Sequence, residues 1–315
     1  MTIRAGIIGT GGIARAHAEG YRKNGVEITA LMDAYPQAAE SFNQSIGGKA
    51  RIFPDYRSLL DSGLVDLVSI CTPPAFHEEP AVLALQRNIH VLLEKPMAQS
   101  VQAARNIEAA SQASPALLTI GFRHRCLPAV QKLRSLIQEG AIGQLVFFQN
   151  IFCGPAFDMK DKWFSKKAIA GGGTMMDTSV HSVDLFRFLA GEVSEQKAVA
   201  ATHLEGIDVE DASIMTVKAE NGCLGALTAA WVAGDGQAFI DITGTGGRVR
   251  YDYYNAGQVK LRKLGEKEWQ TFEVQPSDGF AEEIAIFLKA IAGQGDLLCT
   301  AYDGRRAIEI IQANY

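Results

Sequence analysis

Ile7-Ile8-Gly9-Thr10-Gly11-Gly12-Ile13-Ala14 follows a short apolar run and opens an amphipathic one. It fits G-x-G-x-x-A, the glycine-rich turn that joins a buried strand to a helix. Gly9 is expected to make the tight turn. Gly11 is expected to let backbone amides approach a pyrophosphate, and Ala14 to let the helix pack closely on the sheet. The first turn of that helix offers unpaired N–H donors and the positive end of its dipole. Gly9, Thr10, Gly11, Gly12 and Ile13 therefore form a candidate dinucleotide cradle.

Working outward, the first 122 residues alternate apolar runs with helix-like segments. The runs are Ile3–Ile8, Val26–Met32, Arg51–Phe53, Leu67–Cys71, His90–Leu93 and Ala116–Ile120. Amphipathic stretches such as Ala14–Lys23, Ala75–Arg87 and Val101–Ala113 separate them. Buried strands alternating with helices imply parallel pairing through crossover helices, a doubly wound α/β Rossmann domain over residues 1–122. Asp33 ends the second run, about 20 residues beyond the turn, where a carboxylate grips the adenosine ribose hydroxyls and repels a 2′-phosphate. No Lys or Arg lies between Asp33 and Lys49. Both facts favour NAD over NADP; the rival reading of Asp33 is a solvated turn residue before Pro36.

Residues 123–315 read as an α+β domain for substrate binding and oligomerisation. A helix is expected from Pro128 to Gln138. A hairpin is expected at Asn221-Gly222, between Ser213–Ala219 and Cys223–Trp231. Further strands follow at Ala238–Thr243, Arg248–Tyr254, Val259–Leu264 and Trp269–Val274, giving an open, mainly antiparallel sheet. Thr243-Gly244-Thr245-Gly246-Gly247 also follows a strand but precedes another, so it reads as a hairpin turn. Two helices, Phe280–Ile291 and Gly304–Ala313, close the chain. Ile240, Ile242, Val249 and Tyr251 are expected on a second, exposed apolar face of this sheet, which points to a homodimer or homotetramer formed sheet to sheet.

Composition narrows the class. The 315 residues are 47% hydrophobic and 21% charged, with a net charge of −5. No basic run suited to nucleic acid occurs. The N-terminal apolar run is too short and glycine-broken for a signal peptide, and no stretch approaches the ~20 apolar residues of a membrane span. Cys71, Cys126, Cys153, Cys223 and Cys299 are scattered, without zinc or CxxC spacing. Reduced thiols in a cytoplasmic, soluble protein are expected, with no metal site.

Three further segments carry chemistry: Cys71-Thr72-Pro73-Pro74-Ala75-Phe76-His77, Glu94-Lys95-Pro96, and the run from Gly171-Gly172-Gly173 through Asp177, His181 and Asp184. The first two follow expected parallel strands, at whose carboxyl ends open α/β sheets bind ligands. Lys95, directly after a buried strand, is expected to be partly desolvated, against an ion pair with Glu94 or an exposed loop position. Asp177, His181 and Asp184 fall on one face of an expected helix. Their backbone glycines could approach a substrate closely.

In order, spacing and companions these segments resemble the Gfo/Idh/MocA oxidoreductases, the glucose-fructose oxidoreductase and inositol dehydrogenase type. Tyr302-Asp303-Gly304-Arg305-Arg306-Ala307 is similar to the start of that family's last helix. The resemblance spans nearly the whole chain. It implies that Lys95 binds the reacting hydroxyl, often beside a cis Lys-Pro bond, and that His181 is the general acid/base with Asp177 binding substrate. It places Thr72, Pro73, His77, Glu94 and Lys95 about the cofactor; the rival for His77 is a surface position at a helix start. Arg123 and Trp163 are substrate-binding candidates, Trp163 with a packing role as its rival. His124 departs from the Arg or Asn often found there and receives no role. The expected reaction is hydride transfer between a secondary alcohol of a sugar, polyol or inositol-like substrate and NAD. The alternatives are an NADP-dependent carbonyl or diol reductase and a non-catalytic dinucleotide-binding regulator. The resemblance also implies a chain running somewhat beyond Tyr315, which is read as lying within a helix.

Overall fold

Six parallel strands in the order β3-β2-β1-β4-β5-β6 organise the first part of the chain. They are β1 (Arg4–Ile8), β2 (Glu27–Met32), β3 (Arg51–Phe53), β4 (Leu67–Ile70), β5 (His90–Leu93) and β6 (Leu118–Ile120). The crossover helices are α1 (Gly12–Lys23), α2 (Pro36–Ser45), α3 (Tyr56–Leu60), α4 (Glu78–Gln86) and α5 (Val101–Ala113). Strand order reverses between β1 and β4, the switch point at which such sheets bind ligands. The computed structural model describes residues 3–315. Met1 and Thr2, with which the expected first domain opens, lie outside the described residues. α4 begins three residues later than its periodicity implied, because Pro74–Phe76 form a separate tight turn.

The first compact unit comprises residues up to Arg123 together with Phe280–Ile308. Residues 280–308, expected within the 123–315 domain, pack in this compact unit. Helix α9 (Phe280–Ile291), counted here after the helices of the second unit, lies against α1 because Gly20 leaves room. A Cβ there would stand 2.6 Å from Ile284 Cδ1. Ile284 and Phe287 of α9 join Ile7, Tyr21, Leu31 and Phe42 in one apolar core. The last helix, α10 (Ala301–Gln312), starts earlier than expected. Thr300 N–H and Oγ1 donate to the Asp303 carboxylate at 2.9 and 3.0 Å, a capping arrangement that sets its beginning. It ends at Gln312, so Tyr315 lies beyond the helix.

The second unit, His124–Gly279 with Glu309–Tyr315, is built on eight strands in the order β14-β13-β12-β11-β7-β10-β9-β8. It begins with α6 (Pro128–Gln138) and β7 (Leu145–Pro155), then the short α7 (Lys167–Ala170) and α8 (Val180–Ala190). The strands that follow are β8 (Val193–Ala201), β9 (Ala212–Ala219), β10 (Leu224–Ala230), β11 (Val232–Gly244), β12 (Gly247–Asp252), β13 (Gln258–Lys263) and β14 (Gln270–Glu273). β7 pairs parallel with β10 and every other pairing is antiparallel. The Asn221-Gly222 hairpin and the Gly244-Thr245-Gly246-Gly247 turn both join antiparallel neighbours.

The expected exposed apolar face is corrected. Ile240, Ile242 and Val249 are 0% exposed and Tyr251 2%. Ile240 pairs with Tyr251 and Ile242 with Val249, so all four share the side on which the helices pack. On that side Phe148 of β7 meets Phe186 of α8 edge to face. The pleat leaves Phe147, Val199, Ile214 and Leu224 on the outer face, exposed by 52, 79, 56 and 46%.

A buried ion pair lies behind the glycine turn in the first unit. His17 Nε2 is 2.7 Å from Glu94 Oε1, and His17 Nδ1 is 2.9 Å from Ser69 Oγ, which also meets the Tyr21 hydroxyl at 2.6 Å. Burial opposes charge on His17, yet Cys71 and the Glu94 carboxylate beside it raise its pKa well above 6.5. Burial likewise opposes charge on Glu94, but His17 and Lys95 hold its pKa below 4.5. The contribution of His17 is complete below pH 6.5 and is lost as pH rises through its raised folded value. That of Glu94 is present above pH 4.5 and is lost as pH falls through its lowered folded value. His17→Asn is expected to destabilise the first unit by about 3–5 kcal/mol, since it leaves a buried carboxylate uncompensated. Urea titrations across pH should find the difference from wild type widest between pH 4.5 and 6.5. A difference that does not vary with pH would remove the charged-pair assignment.

Candidate active site

In the first unit, Gly9 has φ +89° and presses on the end of β4: a Cβ there would lie 2.9 Å from Cys71 C and Thr72 N. This turn therefore requires glycine. Gly11 and Gly12 have open space where a side chain would stand. α1 starts at Gly12 with no side chain capping its amides. An open cradle beneath uncapped N–H groups fits a dinucleotide pyrophosphate. The Asp33 carboxylate is drawn onto the same turn. Its Oδ2 accepts from Thr10 N–H at 2.7 Å and Thr10 Oγ1 at 2.8 Å, and its Oδ1 accepts from Tyr35 N–H at 2.9 Å. Both lone-pair sites of Oδ2 are thereby used, and Oδ1 retains acceptor capacity for a ribose hydroxyl.

Thr72 and Pro73 are half-buried at the carboxyl end of β4. His77 is neither at the surface nor open to a ligand: it is 0% exposed. Its Nε2 lies 2.7 Å from Thr72 O, and its Nδ1 faces Pro96 O at 3.1 Å and Met97 O at 3.3 Å. Burial lowers its pKa below 6.5 despite those carbonyls, so the ring is neutral. The shortest contact puts the proton on Nε2, donated to Thr72. His77 thus hydrogen-bonds within the loop after β4 and lies against the loop after β5. Glu94 is also inside, with Oε1 on His17 and Oε2 accepting the Lys95 N–H at 3.1 Å. Lys95 itself is half-buried, and its bond to Pro96 is cis. Arg123 lays its guanidinium 4.8 Å over the Phe280 ring.

In the second unit the glycine run approaches its own chain closely. A Cβ on Gly173 would fall 1.7 Å from Glu210 O, and one on Gly172 1.9 Å from the Tyr315 hydroxyl. The nearly buried Glu210 carboxylate accepts from Gly173 N–H at 3.1 Å, Met175 N–H at 2.8 Å and the Tyr315 hydroxyl at 2.8 Å. A carboxylate at these amides caps the following helical segment. That segment begins as a π-helical turn over Met175–Ser179 and continues as α8. Such turns recur at functional sites.

Asp177 lies in the π turn and His181 in the first turn of α8, both half-buried. Asp184 stands one turn beyond His181 on α8. It is buried and holds Arg125 in a fork, Nη2 to Oδ1 at 2.6 Å and Nε to Oδ2 at 2.9 Å. Sequence reasoning gave His124 no role. Its ring centroid lies 4.4 Å from that of His181, and its Nδ1 is 2.9 Å from the Tyr253 hydroxyl. A histidine in place of the expected Arg or Asn was the only signal. Trp163 stacks on Phe164, ring centroids 3.7 Å apart, within a short turn.

Residues 3–122 match the family described as "Oxidoreductase family, NAD-binding Rossmann fold". Residues 130–250 match "GFO/IDH/MocA C-terminal domain". Inositol 2-dehydrogenase of Rhizobium meliloti (strain 1021) is 25% identical across 99% of this chain and 96% of its own length. Levoglucosan dehydrogenase of Pseudarthrobacter phenanthrenivorans is 25% identical across 83% of this chain and 76% of its own. A solved levoglucosan dehydrogenase in complex with NADH and levoglucosan has a TM-score of 0.93 at 24% identity, covering 99% of this chain and 96% of that one. At that identity the likeness speaks for the fold. With both family matches spanning most of its length, the chain belongs to the Gfo/Idh/MocA family of oxidoreductases with an NAD(P)-binding Rossmann unit.

Proposed function

We propose that the chain reversibly oxidises a secondary alcohol of a sugar, polyol or inositol-like compound, with NAD as its cofactor. The observation that carries this reading is the seat of Lys95. It stands at the carboxyl end of β5, its backbone fixed on a carboxylate that is itself locked on His17. The glycine turn and Asp33 occupy the same edge of the parallel sheet. The names of the dehydrogenase relatives support a CH–OH substrate.

NAD, when bound, supplies the hydride acceptor. Gly9, Thr10, Gly11, Gly12 and Ile13 would hold its pyrophosphate, Asp33 its adenosine ribose, and Thr72 and Pro73 would flank the nicotinamide. His77 and Glu94 act through the loops they fix. Lys95 donates to the reacting oxygen and stabilises the charge that develops there. His181 takes the hydroxyl proton as general base, and Asp177 binds substrate and orients the transfer. Arg123 and Trp163 contribute to substrate recognition.

Five free thiols without a disulfide fit a reducing compartment, and we place the protein in the cytoplasm. No helix among the described residues is long and apolar enough to cross a membrane. A homodimer or homotetramer through the C-terminal sheet is retained, now on its outer face with Phe147, Ile214 and Leu224.

A panel of sugars, inositols and nucleotide sugars with NAD⁺, read by NADH absorbance, tests the function. Lys95→Ala should lower kcat by roughly 10²–10³-fold while NADH still binds. Unchanged turnover in that variant removes the central assignment, and cofactor binding without turnover on any alcohol favours a regulator. For the cofactor, Asp33→Asn is expected to weaken NADH binding about tenfold while sparing NADPH. Tighter binding of NADPH than NADH by the wild type would overturn the preference. Light scattering should find a dimer or larger, with Ile214→Glu shifted toward monomer; a wild-type monomer at working concentration sinks the assembly.

A further inference from the structure

We infer that His124 is a positioning residue for His181, resting on the reading of His181 as the proton-transfer group. A general base works only when one ring nitrogen is held within hydrogen-bond reach of the proton it takes. The terminal torsion of a histidine is soft and roughly two-fold, so its neighbours must fix the ring. His181 sits in the first turn of α8.

Two adjacent residues of the Arg123–Cys126 turn bear on α8 one helical turn apart. Arg125 grips Asp184 through its buried fork. His124 packs on His181, with ring centroids 4.4 Å apart and planes inclined by 55°. The fork fixes the turn to the helix, and so fixes where the His124 ring stands. That ring is held in its own right. It is nearly buried, its Nδ1 meets the Tyr253 hydroxyl at 2.9 Å, and Phe152 and Tyr253 close on it at 5.4 and 5.3 Å. Phe152 and Tyr253 also pack edge to face on each other at 5.2 Å. Order therefore passes from the sheet, through the Tyr253 hydroxyl and the His124 ring, to the ring of His181. An Arg or Asn at residue 124 would offer no aromatic face for this contact.

The test uses the full chain with 15N-labelled histidine, whose six imidazoles include one exposed internal reference, His203. Long-range 1H–15N spectra are recorded for wild type, His124→Ala and Tyr253→Phe, without ligand and with NADH. The His181 ring signals are expected to shift and broaden in both variants, while those of His203 stay in place. Tyr253→Phe removes a single oxygen and keeps the packing, so it remains informative if His124→Ala does not fold. On the panel alcohol that wild type oxidises fastest, both variants should lose kcat by about 10- to 100-fold with the KM for NAD⁺ unchanged. His181 signals that superimpose on wild type in both variants overturn the inference. His181→Asn separates the two levels. Full turnover in that variant sinks the catalytic assignment of His181. Lost turnover, with unaltered His181 signals in the other two variants, sinks only the role of His124.

Discussion

The buried Glu94 carboxylate is the constraint on which the first unit depends. It ends a strand at the edge where ligands bind, yet both of its oxygens are turned inward, to His17 of α1 and to the Lys95 backbone. One charged pair thus joins the glycine-turn helix, the central strand β4 through Ser69, and the loop that carries Lys95. Neighbouring segments reinforce that loop. His77 donates to Thr72 and faces the Pro96 and Met97 carbonyls, and Gly304 lets α10 come close to Met97, where a Cβ would lie 2.8 Å from its sulfur. The role proposed for Lys95, holding a reacting oxygen, calls for a rigid base, and the polar interior of the domain supplies one.

The second unit solves the same problem with a carboxylate placed at the start of a helical segment. Glu210 gathers the amides of Gly173 and Met175 and the hydroxyl of Tyr315. Gly172 and Gly173 are needed because the chain itself lies where their side chains would be. The π turn that follows offsets Asp177 from α8, and the Asp184 carboxylate is taken up by the Arg125 fork. What reads as three aligned groups on one ideal helix is, in the fold, two candidate functional groups and one structural anchor.

Local pattern carried the six parallel strands, the glycine turn and both hairpins, because each depends on residues close in sequence, while β8, α2 and α3 were not among the expected elements. The side of the sheet that Ile240, Ile242, Val249 and Tyr251 occupy was misread for a physical reason. Alternation fixes that they share a face, but not which face the helices cover. The return of residues 280–308 to the first unit was hidden likewise, since the gap at Gly20 that admits Ile284 has no signature in either segment alone. The roles of His17, Glu210 and His124 all rest on partners at least dozens of residues away.

By itself, then, the sequence determined a Rossmann unit with a carboxylate at the end of its second strand, a following α+β unit, and the residue types for alcohol chemistry. Periodicity, turn chemistry and motif spacing are written along the chain. Only the tertiary structure decided which of those residues face inward. It turned Glu94 and His77 into supports, assigned Asp184 to Arg125, set His124 against His181, and exchanged the covered and open faces of the large sheet. The physical reason is burial: the cost of leaving a polar group unpaired is settled by whichever partner the fold brings within reach, however distant in sequence.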